Sequence, residues 1–144
     1  MRKIYRNFIT NQEANDLLKS TKPINNSIVD TKSEIIHKIV KKLKEEFDFN
    51  IKKQSYYLVE HMPTGHNWHV DVGNGNHMSW CDMGVSILLQ EPLSGGDTYY
   101  ADNIKGTNKI KSDRKIYDLI VHTSDEYHMV EPHEGERKVL LMFI

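Results

Sequence analysis

The chain has a single cysteine, Cys81, among its 144 residues. A lone cysteine excludes an internal disulfide and fits a reducing compartment, in which we expect it to be an unreactive thiol. No apolar run approaches the roughly 20 residues that cross a bilayer, and the longest extends only from Val139 to Ile144. The charged N-terminal residues are not followed by the apolar segment of a signal peptide. These absences predict a soluble, cytoplasmic protein with no membrane partner.

The sequence also lacks internal repeats and low-complexity tracts. Its length is that of one domain, with room for a real core but not for a second one. We therefore predict a single domain over residues 1–144, in which residues 1–50 form a helical support region and residues 51–144 form a β-rich core.

Charge is distributed unevenly along the chain, although the formal net charge is only −1. Lysine and arginine are in excess over residues 1–55, whereas aspartate and glutamate are in excess over residues 56–144. A basic half could contact a nucleic acid or a protein partner. The more common reason for such an excess is a solvated helix surface, and the sequence leaves both interpretations open.

Two stretches in the first third of the chain carry helix signals. Thr10-Asn11-Gln12-Glu13 is a capping box and predicts a short helix to about Ser20. A second capping box, Thr31-Lys32-Ser33-Glu34, predicts a longer helix to about Phe47, with apolar residues at helical spacing on one stripe. Pro23 and the asparagines at 25–26 mark a loop between the two.

From residue 50 onward, short runs of β-branched and aromatic residues alternate with Gly, Asn and Asp. These runs predict strands at 51–61, 67–72, 83–90, 96–101, 115–122, 127–131 and 137–144, after an opening strand within 3–9. The Gly95-Gly96 pair predicts a hairpin between 83–90 and 96–101. Two helices followed by about seven short strands predict a mostly β protein, with the helices packed on one face of a β-sandwich or jelly roll.

His69-Val70-Asp71 is the stretch with the clearest chemical content. Alternate side chains of a strand share a face, so the His69 imidazole and the Asp71 carboxylate should point the same way. Chance alone gives about half of one His-x-Asp triplet in a chain of this composition, so the triplet needs support from its context. If His128 joins it, two imidazoles and one carboxylate leave three coordination positions open. That set suits non-heme Fe(II) better than structural zinc, which usually has four protein ligands.

Arg137 begins an otherwise apolar terminal strand, on the same face as Val139, Leu141 and Phe143. An arginine that points into a core needs an anion, because an unpaired buried charge is very costly. Nothing in the strand supplies one. A dicarboxylate ligand would supply it through a bidentate guanidinium–carboxylate pair.

These motifs occur in a distinctive order: His69-x-Asp71, Gly95-Gly96, His128-x-Val130-x-Pro132 and Gly135-Glu136-Arg137. Over roughly residues 55–144 the chain resembles the 2-oxoglutarate/Fe(II)-dependent oxygenases of the prolyl 4-hydroxylase-like group. The resemblance implies a double-stranded β-helix core, which is a cupin-like jelly roll. It also implies His69, Asp71 and His128 as the catalytic iron ligands and Arg137 as the anchor for the distal carboxylate of 2-oxoglutarate.

The activity implied by the resemblance is that of a dioxygenase that hydroxylates a C–H bond and releases succinate and CO2. Its cofactors would be Fe(II), 2-oxoglutarate as co-substrate and O2, with ascorbate as an optional reductant. The implied substrate is a prolyl residue or another peptide or protein side chain, or a free amino acid. The sequence leaves the oligomeric state open.

The chain departs from the pattern of this group at two positions. Many relatives have a tyrosine near the position of Leu88 that donates to the same distal carboxylate, which Leu88 cannot do. Ser86 and Tyr57 are the hydroxyls that we expect to replace it as co-substrate contacts. His61 stands where a tyrosine often precedes the metal triplet.

Two other functions remain open. The first is oxidative demethylation of nucleic-acid bases, which the basic half would serve, although no aromatic base-stacking platform is evident. The second is a non-catalytic metal- or ligand-binding jelly roll, or a zinc site for hydrolysis. The Gly- and Asn-rich loop at 72–82 is a candidate lid, and His122 is expected to be a hydrogen-bonded core residue. His66 and Trp68 are expected on the substrate side or next to the metal ligands.

Overall fold

A computed structural model describes residues 1–21, 27–73, 75 and 77–144. The loop predicted at Pro23 and residues 25–26 lies outside these residues, as do Asn74 and Asn76 of the candidate lid. Over the described ranges, the chain forms the following elements: β1 (Arg2–Tyr5), α1 (Asn11–Lys19), β2 (Ser27–Ile28), α2 (Glu34–Lys44), β3 (Tyr56–Glu60), β4 (His66–His69), β5 (Met83–Gln90), β6 (Ser94–Gly95), β7 (Thr98–Ala101), β8 (Ile110–Lys111), β9 (Leu119–Thr123), β10 (Tyr127–Val130), β11 (His133–Glu134) and β12 (Lys138–Phe143).

The strands form antiparallel sheets of six, four and two strands. The large sheet has the order β1-β9-β5-β12-β3-β2, and the smaller ones have the orders β4-β10-β7-β8 and β11-β6. The predicted hairpin is wrong, because β5 pairs with β9 and β12 in the large sheet whereas β7 pairs with β10 and β8 in the four-stranded sheet. The Gly-Gly segment therefore carries the chain from one sheet to the other, as a jelly roll requires.

Side-chain alternation divides the large sheet into two faces with different tasks. Val85 and Ile87 of β5 lie in the hydrophobic core, together with Leu140 and Met142 of β12. The residues between them project to the opposite face, where Ser86 lines a cavity. One face of the sheet thus packs in the hydrophobic core, and the other lines the cavity.

The two helices cover the core face of the large sheet. The capping box of α1 is confirmed, since Thr10 and Glu13 exchange both of its hydrogen bonds. The second capping box is wrong: α2 begins at Glu34 after the N-cap Ser33, which makes no side-chain capping bond. The reason is local, because Asp30 forms a turn in which its carboxylate accepts from the Lys32 amide. The apolar stripe of α2 is buried as predicted, and its buried residues are Ile35, Ile36, Ile39 and Leu43.

Burial of that stripe holds α2 on the sheet. A fully buried isoleucine or leucine contributes about 1.5–3 kcal/mol relative to an exposed one. Two lysines outside the buried stripe pair with neighbouring carboxylates, Lys38 with Glu13 and Lys42 with Glu45. These lysines therefore lie on a solvated helix surface, which is one of the two interpretations of the basic residues at 1–55. Within the described ranges, no helix has the length and apolar character needed to cross a membrane.

Candidate metal centre

Three potential ligands converge between β4 and β10. The two strands are antiparallel neighbours and place His128 directly opposite His69. The Asp71 Oδ1 atom lies 3.4 Å from His128 Nε2 and 4.0 Å from His69 Nε2. One donor atom from each of the three residues lies within 4.8 Å of the other two. Side chains distant in sequence thus surround a single point.

The predicted strand at 67–72 is too long, since β4 ends at His69 and Asp71 lies in the turn that follows. Backbone hydrogen bonds hold this turn in place. The Val72 amide donates to the Ser124 carbonyl at 3.2 Å, and the Gly73 amide donates to the Val70 carbonyl at 3.0 Å. The position of the carboxylate therefore depends on the turn as well as on strand alternation.

Each imidazole is oriented by a hydrogen bond to the backbone carbonyl two residues earlier in the chain. His69 Nδ1 lies 2.7 Å from the Asn67 carbonyl, and His128 Nδ1 lies 2.9 Å from the Glu126 carbonyl. A carbonyl can only accept, so Nδ1 carries the proton in each neutral ring. The Nε2 lone pairs are then free and face Asp71. Such outer hydrogen bonds fix the tautomer that a metal ligand needs.

The second oxygen of Asp71 belongs to a buried hydrogen-bond chain. Asp71 Oδ2 accepts from His122 Nε2 at 2.6 Å, and the Tyr100 hydroxyl lies 2.9 Å from His122 Nδ1. All three side chains are buried. His122 is thus a hydrogen-bonded interior residue, as expected, but its partner is the carboxylate of the candidate centre. Oδ1 is left facing the two imidazoles.

Gly84 of β5 leaves the space that this arrangement occupies. A Cβ atom at Gly84 would lie 2.2 Å from Asp71 Oδ2 and 2.5 Å from His122 Nε2. Real Cβ atoms do not approach other atoms this closely. The carboxylate–imidazole pair therefore packs directly on the backbone of β5.

Burial and hydrogen bonding set the protonation of the cluster. Burial alone would raise the pKa of Asp71, but the hydrogen bond from His122 and the proximity of His128 hold it well below its ordinary value. Burial, reinforced by the neighbouring His128, lowers the pKa of His69. Burial also lowers the pKa of His122, against the influence of Asp71. A charged carboxylate beside neutral imidazoles is the protonation state that metal binding requires.

We expect His122→Leu to weaken metal binding by about 10- to 100-fold, the usual cost of losing an outer partner of a ligand. The leucine fills the space but leaves Asp71 Oδ2 without its donor. Anaerobic Fe(II) titration followed by calorimetry measures the change. His122→Gln, which keeps an N–H donor, should recover part of the affinity. Equal losses in the two variants would show that His122 acts only through packing.

We also expect the metal-free protein to lose stability as the pH falls from 7 to 5. For His122 and His133, burial lowers the folded-state pKa, so the unfolded chain binds more protons at a pH between the folded and unfolded values. Their contribution is complete above the unfolded pKa and is lost as the pH falls through the folded pKa. His66 opposes this, because its hydrogen bond to Glu60 raises its pKa and its contribution is lost as the pH rises.

Thermal melts in the presence of a chelator test this balance. Each 1 kcal/mol lost should lower the Tm by about 4 °C for a chain of this size. If the Tm stayed constant or rose as the pH was lowered from 7 to 5, the assignment of neutral, buried histidines would be contradicted.

Arg137 faces the same interior as the three potential ligands. Only 4% of its surface is exposed, and it lines a cavity of about 100 Å³ that His69, Asp71 and His128 also line. Among the described residues, no carboxylate lies within ion-pair distance of its guanidinium. Burial lowers its pKa, whereas the more distant charges of Glu60 and Asp97 act in the opposite direction.

The two hydroxyls expected beside Arg137 have different positions. Ser86 lines the cavity and accepts a hydrogen bond from Arg114 Nη1. The structure does not bring Tyr57 to the cavity. Its side chain is buried in the helix-facing core, opposite Met142 of β12, because it alternates with residues that face the cavity. Sequence analysis missed Arg114, which lies in the loop after β8 where no periodicity marks its direction.

A wide groove leads from solvent to the candidate centre. Its volume is about 860 Å³, and His69 and Asp71 form part of its wall. The remaining wall is largely aromatic and apolar, and includes Tyr56, Trp68, Met78, Ile104, Tyr127 and Phe143. Val72, Gly73 and His77 of the candidate lid also line it.

The other histidines near the centre have structural partners. His66 lies 2.8 Å from a carboxylate oxygen of Glu60, and its ring centroid is 5.9 Å from that of His69. His61 Nδ1 lies 3.1 Å from the Arg137 carbonyl. His66 is thus next to a potential ligand, as expected.

Comparison with known proteins gives no match by sequence but several by structure. No protein-family model matches the chain, and no curated protein matches it. It resembles a Pseudomonas putida prolyl-4-hydroxylase with a TM-score of 0.68 at 12% identity, covering 99% of this chain and 90% of that one. It also resembles the viral collagen prolyl hydroxylase of Paramecium bursaria chlorella virus-1, solved as a 2OG complex, with a TM-score of 0.69 at 17% identity and coverages of 99% and 93%.

A third solved structure is similar in the same way. It is a Trichoplax adhaerens prolyl hydroxylase in complex with a peptide fragment of the hypoxia-inducible factor oxygen degradation domain. Its TM-score is 0.66 at 14% identity, with coverages of 99% of this chain and 82% of that one. At such identities the likeness establishes the fold. The prediction of a mostly β jelly-roll protein with N-terminal helices is confirmed.

The donor set suits Fe(II). Two imidazole nitrogens and one carboxylate oxygen on one side of a cavity form a facial triad that leaves positions for exogenous ligands. No further histidine, cysteine, aspartate or glutamate among the described residues joins the group of three. A closed structural zinc site would need a fourth protein ligand.

Proposed function

We propose that this protein is an Fe(II)- and 2-oxoglutarate-dependent dioxygenase that hydroxylates a C–H bond of a peptide, most simply at a prolyl residue. One observation carries the proposal. Arg137, a buried arginine with no carboxylate partner among the described residues, shares a cavity with the two imidazoles and the carboxylate of the triad. An unpaired buried cation and an open triad call for a ligand that is anionic at one end and chelating at the other.

Each proposed role follows from a position. His69, Asp71 and His128 would hold Fe(II), and Arg137 would pair with the distal carboxylate of 2-oxoglutarate. The bound metal and co-substrate supply the oxidative chemistry, in which O2, 2-oxoglutarate and R–H become succinate, CO2 and R–OH. The protein orients the two ends of the co-substrate and keeps water from the enclosed side.

The groove supports a peptide as the substrate. None of its described lining residues is lysine or arginine, whereas a nucleic-acid site needs cations to contact phosphates. Two of the lysines of α2, Lys38 and Lys42, are in ion pairs on the helix surface. Aromatic walls suit apolar side chains, prolyl rings among them. Two of the similar structures are a collagen prolyl hydroxylase and a prolyl hydroxylase in complex with a peptide, which agrees with this choice.

The candidate lid retains its proposed role. Residues at 72–73 and 77–78 line the groove next to the triad, so movement of the loop would open or close access to the centre. Closure over a bound peptide would exclude water from the reacting atoms.

Coupled succinate formation tests the proposed function. Purified protein with Fe(II), 2-oxoglutarate and ascorbate is screened against prolyl peptides, other peptides, free amino acids and oligonucleotides. We expect peptide-dependent succinate release and a gain of one oxygen atom in the peptide by mass spectrometry. If only oligonucleotides stimulated succinate release, the substrate would be a nucleic acid. Tight stoichiometric zinc without turnover on any substrate would favour a hydrolytic or non-catalytic site.

A further inference from the structure

A second guanidinium faces the cavity that holds Arg137. Arg114, half-buried in the loop after β8, lines the cavity together with Arg137, Ser86 and Thr98. The two arginines also line a solvent-facing cleft of about 280 Å³ on the other side. The two arginines therefore lie in a wall that the cavity and the cleft share.

The described residues provide no carboxylate for Arg114. Its Nη1 donates to the Ser86 hydroxyl, which is uncharged. The carboxylate of Asp118 is already engaged, because it accepts from Arg6 Nη1 at 2.7 Å and from the amides of Asn7 and Lys115. Burial and the neighbouring Arg137 lower the pKa of Arg114 to about 10, so the side chain stays charged at neutral pH.

The two guanidiniums of the cavity wall have no carboxylate within ion-pair distance among the described residues. Arg114 and Arg137 contribute two positive charges to the cavity lining, and its carboxylates are engaged elsewhere: Glu60 is hydrogen-bonded to His66 and Asp71 to His122. Two guanidiniums that share a low-dielectric wall repel each other unless an anion lies between them. A single carboxylate offers two oxygens and can accept from both.

We infer that Arg114, positioned by Ser86, is a second cation of the subsite that binds the distal carboxylate, and that it determines selectivity for 2-oxo dicarboxylates over 2-oxo monocarboxylates. The inference rests on the proposed function. In this inference, the main role of Ser86 is to hold the Arg114 guanidinium in place. Arg114 is a specificity residue and takes no part in metal binding.

Anaerobic calorimetry on the Fe(II)-loaded protein tests the inference with two probes. 2-Oxoglutarate carries the distal carboxylate, and 2-oxovalerate has the same chain length without it. We expect Arg114→Gln to lower the affinity for 2-oxoglutarate by about tenfold or more, the effect of losing one charge-assisted hydrogen bond. The affinity for 2-oxovalerate should change less than about twofold, which also shows that the variant is folded.

Matched variants separate charge from position. Arg114→Lys should retain part of the selectivity, and Lys115→Gln, which removes the neighbouring exposed cation, should retain all of it. Ser86→Ala should weaken 2-oxoglutarate binding in the native background and have no added effect with Arg114→Gln, because the two residues act as a unit.

Two results would overturn the inference, and they are distinguishable. If the native protein prefers 2-oxoglutarate and Arg114→Gln keeps the full preference, Arg114 is not part of the subsite although the proposed function stands. If the native protein binds neither 2-oxo acid, the proposed function fails together with the inference.

Discussion

His128→Ala removes metal-dependent turnover and lowers the affinity for Fe(II) by more than about 100-fold, the upper range for residues that act only through a ligand. The expectation follows from geometry, because His128 Nε2 lies 3.4 Å from Asp71 Oδ1, closer than His69 Nε2 at 4.0 Å. Without it, one imidazole and one carboxylate remain, and a bidentate set holds a labile divalent ion weakly. Calorimetric Fe(II) titration and the succinate assay measure the two effects.

His37→Ala is the matched control for this variant. His37 is exposed on α2, on the opposite side of the large sheet from the cavity, so its loss should leave metal affinity and turnover unchanged. The loss in His128→Ala should exceed that in His122→Leu, since one removes a ligand and the other a ligand's partner. If His128→Ala kept the Fe(II) affinity of the native protein, His128 would not be a metal ligand.

Arg137→Met is expected to have two opposite effects. Affinity for 2-oxoglutarate should fall by about 100-fold, since a bidentate guanidinium–carboxylate pair is worth about 3 kcal/mol. The ligand-free protein should become more stable by about 1–3 kcal/mol, because a buried charge without a partner is replaced by an apolar side chain of similar length. A residue that lowers stability and serves binding is typical of a functional site.

Lys138→Met is the control for Arg137→Met. It removes a positive charge from the next residue, whose amine pairs with Glu136 at 3.5 Å and does not line the cavity. Thermal melts without ligand and calorimetric titration with 2-oxoglutarate report the two effects. If Arg137→Met destabilised the ligand-free protein and kept its 2-oxoglutarate affinity, Arg137 would be a structural residue.

Local pattern predicted much of this molecule. β5 extends over the predicted residues 83–90, because a continuous apolar run flanked by turn residues has few alternatives. The face of Arg137 followed from alternation along β12. The convergence of His69, Asp71 and His128 was an implication of the family resemblance that the order of motifs supports, not of any single motif. These features depend on spacing, which the sequence displays directly.

The wrong predictions concern features that depend on contacts between residues distant in sequence or on a competing local turn. Tyr57 lies on the face of β3 that meets the helices, and alternation alone could not tell that face from the one that meets the cavity. The hairpin was wrong because sheet membership depends on partners distant in sequence. A competing turn at Asp30 shifted the start of α2.

His122 and Arg114 show two different limits of prediction. His122 shares its face of β9 with Ile120, whereas Leu119 and Val121 face the core. A histidine on the non-core face of an apolar strand is a usable signal for a site. Arg114 lies in an irregular loop, and its direction follows from the path of the chain between β8 and β9, which no periodicity encodes.

Anaerobic titration of 2-oxoglutarate into the Fe(II)-loaded protein tests the central claim most directly. A 2-oxo acid that chelates Fe(II) through its carboxylate and keto oxygens produces a weak visible charge-transfer band. We predict that this band appears at one equivalent in the native protein, is absent in His128→Ala and requires far more 2-oxoglutarate in Arg137→Met. Saturating 2-oxoglutarate that gives no band with iron-loaded native protein would contradict the account.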